Sequence, residues 1–239
     1  MLGKYLIKAV QLGKAGCAKD WLIHDTGGAE VTRALGAALL KADLVPTSGV
    51  RRRNYATGFT LPAPKELSSI LKIETVRDAS KEEITRIWNE YHFKLGRGHV
   101  STVLDAAAFK TFRERVSECP LFVLPLKKPA GFVTMFLQAQ LPRVLFTGLE
   151  DYKVRGSQAS PYLVVTHYDD LAESKDVVLV RGDIILPAHL KDAEATDLLE
   201  ASHSFYLRRD LFDHVQAFNR NSANFDFNEV LRTRGISPL

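Results

Sequence analysis

The sequence predicts an α+β fold: a mainly antiparallel β-sheet flanked by α-helices, behind a helical or irregular N-terminal extension. Three observations predict it. A capping box, Ser80-Lys81-Glu82-Glu83, heads an apolar stripe at helical spacing. Five apolar runs follow one another between Leu121 and Asp183. Helical spacing returns after Pro187. Length and composition agree, since 239 residues can enclose one well-buried core, and 46% hydrophobic with 25% charged residues is ordinary for a globular chain.

The first 64 residues read as a targeting region and linker. No acid precedes Asp20, and Leu2, Tyr5, Leu6, Ala9 and Val10 form one helical stripe with Lys4, Lys8 and Lys14 off it. That is the character of an organelle-targeting presequence, although lysine stands where arginine is usual. The alternative is an N-terminal helix docked on the body. A short alanine- and leucine-rich helical pattern covers Glu30–Leu44. From Pro46 to Pro64 prolines and glycines interrupt both helix and strand, around Arg51-Arg52-Arg53. The net charge of +4 sits at this end: 9 of the 32 Lys/Arg but only 4 of the 28 Asp/Glu fall in residues 1–60. The body is close to neutral, which argues against a nucleic-acid-binding face there. The arginine triplet reads as a solvated basic linker, with a nucleic-acid or partner contact as the alternative.

The body, residues 65–239, reads as a single domain. Its first helix starts at Ser80 and carries Ile84, Ile87, Trp88, Tyr91 and Leu95 inward. Gly96 and Gly98 stop it. A second helix runs from about Asp105 to Glu118 with Ala108, Phe112 and Val116 inward, ended by Pro120. Strands are expected at Leu121–Leu126, Phe132–Gln140, Arg143–Gly148, Tyr162–Tyr168 and Val177–Asp183, with Leu141-Pro142-Arg143 as a tight return. After Pro187, Leu190, Ala193, Leu198, Leu199, Phe205 and Tyr206 mark a helix. Leu211, Val215 and Phe218 mark another, and a last short element holds Val230 and Leu231. Neither face of the expected strands is plainly polar, so both are expected to be covered at least in part. An apolar patch left open would be a contact surface for another protein.

Catalytic and metal-binding patterns are not recognisable. The seven histidines show no H-x-x-x-H pair, and Cys17 and Cys119 make no C-x-x-C. His92 and His99 with Cys119 would be an unusual zinc set, and His92 is expected on a polar helix face or in a helix-end role. Two cysteines without a signal-peptide core suit a reducing compartment. There is no G-x-S-x-G, P-loop or G-x-G-x-x-G, and no apolar run long enough to span a membrane. Asp183 after Arg181-Gly182 reads as half of a structural ion pair. The enzyme alternative would bring Asp183 together with His167. No catalytic residue, cofactor or metal is expected.

Ordered segments carry a resemblance. Ile87-Trp88-Asn89-Glu90-Tyr91-His92, Cys119-Pro120-Leu121-Phe122, Gly131-Phe132-Val133 with Gln138, Leu145-Phe146-Thr147-Gly148-Leu149, Val165-Thr166-His167-Tyr168, Val178-Leu179-Val180-Arg181-Gly182-Asp183 and Phe225-Asp226-Phe227 occur in that order. Together, over about Lys65 to Leu231, they resemble the mitochondrial ATP synthase assembly factors that chaperone the β subunit of the catalytic head. The resemblance implies a matrix chaperone and not an enzyme. It would bind the unassembled β subunit and shield its subunit interface until the α3β3 hexamer forms, without nucleotide or metal. It also implies an antiparallel sheet surrounded by helices. A monomer is expected. From pattern alone, Phe132 and Phe136 with Phe225 and Phe227 are the expected contact residues, the alternative being that these aromatics close the core.

Overall fold

The computed structural model describes residues 63–220 and 224–237. The expected presequence, the Glu30–Leu44 pattern, Cys17, Arg51–Arg53 and nearly all of the linker therefore lie outside the described residues.

Helix α1 spans Lys81–Leu95. The Ser80 hydroxyl accepts a hydrogen bond from the Glu83 amide at 3.3 Å, and the helix ends at Gly96, whose φ of 79° suits a residue without Cβ. The expected stripe is rotated. The buried line is Ile84, Trp88 and His92, while Tyr91 and Leu95 keep exposed surface on one flank. His92 is thus a correction: it is 3% exposed, not on a polar face. Its Nδ1–H donates to the Trp88 carbonyl at 2.8 Å, and its ring packs on Trp88 at 4.3 Å between centroids. Satisfying one nitrogen within the helix lets the ring enter the core.

Strand β1, His99–Leu104, was not anticipated. Ser101-Thr102 at its centre interrupts the apolar run, so it gives no clear strand signal. Helix α2 spans Ala106–Glu118, capped by the Asp105 carboxylate accepting from the Ala108 amide at 2.5 Å. It buries Phe109, Phe112 and Val116, so Phe109 takes the place expected for Ala108.

Strands β2 (Leu121–Lys128), β3 (Gly131–Gln140), β4 (Arg143–Gly148), β5 (Leu163–Tyr168) and β6 (Val178–Ile184) fall where the apolar runs predict them. The return between β3 and β4 carries a cis Leu141-Pro142 peptide. Helix α3 (Leu149–Arg155), between β4 and β5, was missed because its seven residues are largely charged. The four-residue α4 (Ala172–Lys175) joins β5 to β6. Then come α5 (Asp192–Leu207), α6 (Arg209–Arg220) and α7 (Phe227–Thr233).

All six strands form one sheet in the order β1-β6-β5-β4-β3-β2, and every pairing is antiparallel. The expected α+β class holds. Register separates two faces. On the front, Leu163, Phe146, Leu137 and Phe122 sit side by side across four strands. Helices α2, α5 and α6 pack on this face and enclose the main core. The back face is covered at its two ends. Helix α1 and the 3-10 turns Leu67–Ser69 and Ile73–Val76 form a second cluster with Leu179 and Tyr168. At the other end Tyr152 of α3 packs on Phe136 at 4.5 Å. Between them runs a polar row, Ser101, Arg181, Thr166, Arg143 and Gln140, one residue from each of five adjacent strands.

Candidate functional site

The residue pair that an enzyme would need is split by the sheet. His167 stands beside Val180 and Asp183 beside Val164, so the two side chains leave opposite faces. The Asp183–His167 alternative is therefore corrected by strand parity. His167 instead meets His203 of α5, Nε2 to Nε2 at 3.1 Å, with Phe109 and Phe112 stacked on its ring. One imidazole donates and the other accepts, and burial disfavours the charged form of both. Burial holds the His167 pKa down at about 3 and that of His203 at about 4. Among the described residues no carboxylate faces the pair; the remaining His167 nitrogen approaches the Pro142 carbonyl at 3.4 Å. Two neutral rings sealed under phenylalanines tie the sheet to α5 and offer no proton to solvent.

Asp183 belongs to the back face. Arg181 Nε donates to both of its carboxylate oxygens, at 2.9 and 3.1 Å, and Arg181 Nη2 adds a bond of 2.7 Å. His99 Nδ1 lies 2.9 Å from the same carboxylate. Arg181 is nearly buried, and the aligned fork compensates its desolvation. This is the structural ion pair expected from the sequence. His92 lies close enough to feel these charges. Burial above all lowers its pKa, and its Nε2 has no hydrogen-bond partner among the described residues.

Among the described residues no three His, Cys, Asp or Glu side chains come together as a metal site. Cys119 is a free buried thiol whose pKa burial raises, so it is a poor nucleophile. No described helix is long and apolar enough to cross a membrane.

The expected contact residues sit largely inside. Phe136 is 1%, Phe225 4% and Phe227 8% exposed, and each packs on aromatic neighbours: Tyr152 on Phe136, Phe218 on Phe225, Phe132 on Phe227. Phe132 alone of the four is half-buried. The large apolar groups that do meet solvent are elsewhere: Phe93 at 88% and Val154 at 83%, with Ile73, Tyr91 and Leu95 exposed to a lesser degree. Sequence reasoning passed over Phe93. The signal was there, a phenylalanine between the members of an amphipathic stripe and off its line.

Comparison with known proteins is decisive for kinship. A family model described as ATP11 protein matches residues 47–231. The chain belongs to the ATP11 protein family. The match begins inside the segment read as linker, well before Lys65. Among curated relatives of this ATP11 chain, the protein named ATP synthase mitochondrial F1 complex assembly factor 1 is 29% identical over 187 residues in Homo sapiens, covering 77% of this chain and 56% of the relative. Its namesake in Danio rerio is 30% identical over 189 residues, covering 76% and 60%. Protein atp11, mitochondrial, of Schizosaccharomyces pombe is 26% identical over 177 residues, covering 69% and 60%. The aligned part of the ATP11 chain thus spans less than two thirds of each relative's length.

Proposed function

We propose that this protein is a mitochondrial assembly chaperone for the catalytic head of ATP synthase. It holds the unassembled β subunit in the matrix, shields the surface destined for an α subunit, and leaves when the α3β3 hexamer forms. The observation that carries the reading is membership of the ATP11 family, with relatives named as F1 complex assembly factors. The geometry is consistent with a holder that makes and breaks no bonds: His167 and Asp183 are separated by the sheet, His167 and His203 are locked in a buried pair, and Asp183 is held by Arg181 and His99, while apolar side chains remain on the outside. A holder must also let go, which suits scattered accessible apolar groups within a polar surround better than one continuous greasy face.

Of the four phenylalanines expected to touch the client, Phe132 has surface to contribute; Phe227 packs on it with Phe225 behind, and Phe136 packs apart on Tyr152. The chain acts as a monomer, without nucleotide or metal. The test is affinity capture of the tagged chain from mitochondrial matrix, followed by mass spectrometry. Free β subunit should be recovered without assembled α3β3. Capture that recovers neither β nor any other F1 subunit overturns the proposal.

A further inference from the structure

The two edges of the sheet are built differently. The outer edge of β2 is guarded. The Pro120 carbonyl accepts from the Ala139 amide at 2.8 Å, so the even-numbered residues of β2 face β3 and Leu121, Val123, Pro125 and Lys127 face outward. Each carries an obstacle to a further strand. The Asn219 amide bonds both the N–H and the C=O of Leu121, at 3.3 and 2.6 Å; Val123 is fully buried; Pro125 has no N–H; Lys127 is charged.

The edge of β1 has none of these devices. The Ile184 amide donates to the Gly98 carbonyl at 2.9 Å, which sets Val100, Thr102 and Leu104 against β6 and turns the backbone N–H and C=O of His99, Ser101 and Val103 outward. Among the described residues no backbone or side-chain group meets these outward donors and acceptors. The strand reads His-Val-Ser-Thr-Val-Leu, without proline or lysine, and its residues other than Val100 are half-exposed. Helix α1 then adds an anchor. Asn89 Oδ1 accepts from Ser101 Oγ at 3.0 Å, fixing which flank of α1 borders this edge. Phe93 lies one turn further on, on the same flank, and is the most exposed large apolar side chain described.

We infer that β1 is the docking edge of this chaperone, and that its occupant is an extended segment of the unassembled client subunit, added as a seventh strand with an apolar side chain resting on Phe93. The chemistry selects an extended peptide, because only a backbone offers donors and acceptors at the spacing that His99, Ser101 and Val103 present. A second copy fits less well. Six residues make an edge about 20 Å long, and pairing two such edges covers on the order of 300 Å² per copy, short of the ~800 Å² per partner of a stable interface. A short edge and a single aromatic suit a contact that must be given up on assembly. This inference rests on the proposed chaperone function but locates the contact independently of Phe132. Phe132, on β3, lies four strands away, about 19 Å across the sheet.

The test uses the full chain and purified unassembled F1 β subunit. Amide hydrogen exchange at Ser101 and Val103 should slow by about tenfold or more when β subunit is added. Ser101→Pro removes one outward N–H without touching the ladder to β6, and should weaken β-subunit binding about tenfold; Phe93→Ser, at a solvent-facing site, should weaken it about fivefold. If Ser101→Pro does not fold, Phe93→Ser and the exchange measurement decide. Wild-type binding that survives both substitutions, with exchange unchanged, overturns the inference and leaves the chaperone reading standing. Two other patterns overturn it in the same way: amides already protected in the free chain and released on removing residues 1–62, or self-association that Ser101→Pro abolishes. Phe132→Ser weakening binding where Phe93→Ser does not would place docking at the opposite side and also overturn it. Failure of wild type to bind β subunit at all removes both readings.

Discussion

The His167–His203 contact joins two buried rings under Phe109 and Phe112. Both rings are neutral because burial disfavours the charged form, and the folded pKa values of about 3 and about 4 lie below the ordinary value of 6.5. The sign of the pH dependence follows. Above pH 6.5 both states bind no proton at these rings and the pair contributes in full. Below it the unfolded chain takes up protons that the folded chain refuses, and stability falls until the folded values are reached. Each ring contributes a slope of about 1.4 kcal/mol per pH unit over that window, and His92, also lowered by burial, acts in the same direction. Denaturant unfolding at pH 7, 6 and 5 should show progressive loss of stability, and His203→Gln should remove one ring's share of the slope. A slope unchanged by that substitution would mean that the pair is not neutral in the folded state. Tyr206 offers a second test. Its phenol donates to the Cys119 carbonyl at 2.6 Å in full burial. Tyr206→Phe should cost about 1–3 kcal/mol, because it leaves that carbonyl unsatisfied.

Elements differ in how clearly the sequence announces them. Strands β2 to β6 are long apolar runs bounded by turns, and their limits are legible to within two residues. The capping residue of α1 is legible too, since a short polar side chain at an N-terminus has one economical use. Strand β1 and helix α3 are not legible. Each takes its conformation from tertiary partners, β1 from β6 and α3 from the back face, and local composition carries little of that. The inferred docking edge was hidden too, because an unguarded edge exists only once strand order is known. The aromatics singled out in the sequence stood out for their size, and size serves a core as well as an interface. Gly182 shows how closely β1 and β6 are fitted. A Cβ there would lie 2.5 Å from Val100 Cγ2 and 3.2 Å from Leu163 Cδ1, both on stiff or packed side chains. Gly182→Ala should therefore destabilise by about 1–3 kcal/mol, and Val100→Ala in the same chain should recover part of the loss. Trp88 does the corresponding work for α1, filling the second cluster and donating its indole N–H to the Val180 carbonyl at 3.1 Å. Trp88→Ala should cost about 3–5 kcal/mol and loosen α1 from the sheet, measurable as faster exchange across Lys81–Leu95.

At the scale of the whole molecule, the division of labour lies between the two faces of the sheet. The front face, under α2, α5 and α6, is committed to stability. The back face and the β1 edge are less enclosed, with α1 bridging core and surface. The proposed holdase role needs this asymmetry: a body that does not deform and a margin that can accept a partner and release it. The most direct measurement is light scattering of unassembled β subunit as it aggregates, with this chain added at increasing ratio and no nucleotide present. The account predicts suppression that saturates near one chain per β subunit and is relieved by adding α subunit. Aggregation unaffected at equimolar chain, or suppressed only when ATP is supplied, would contradict it.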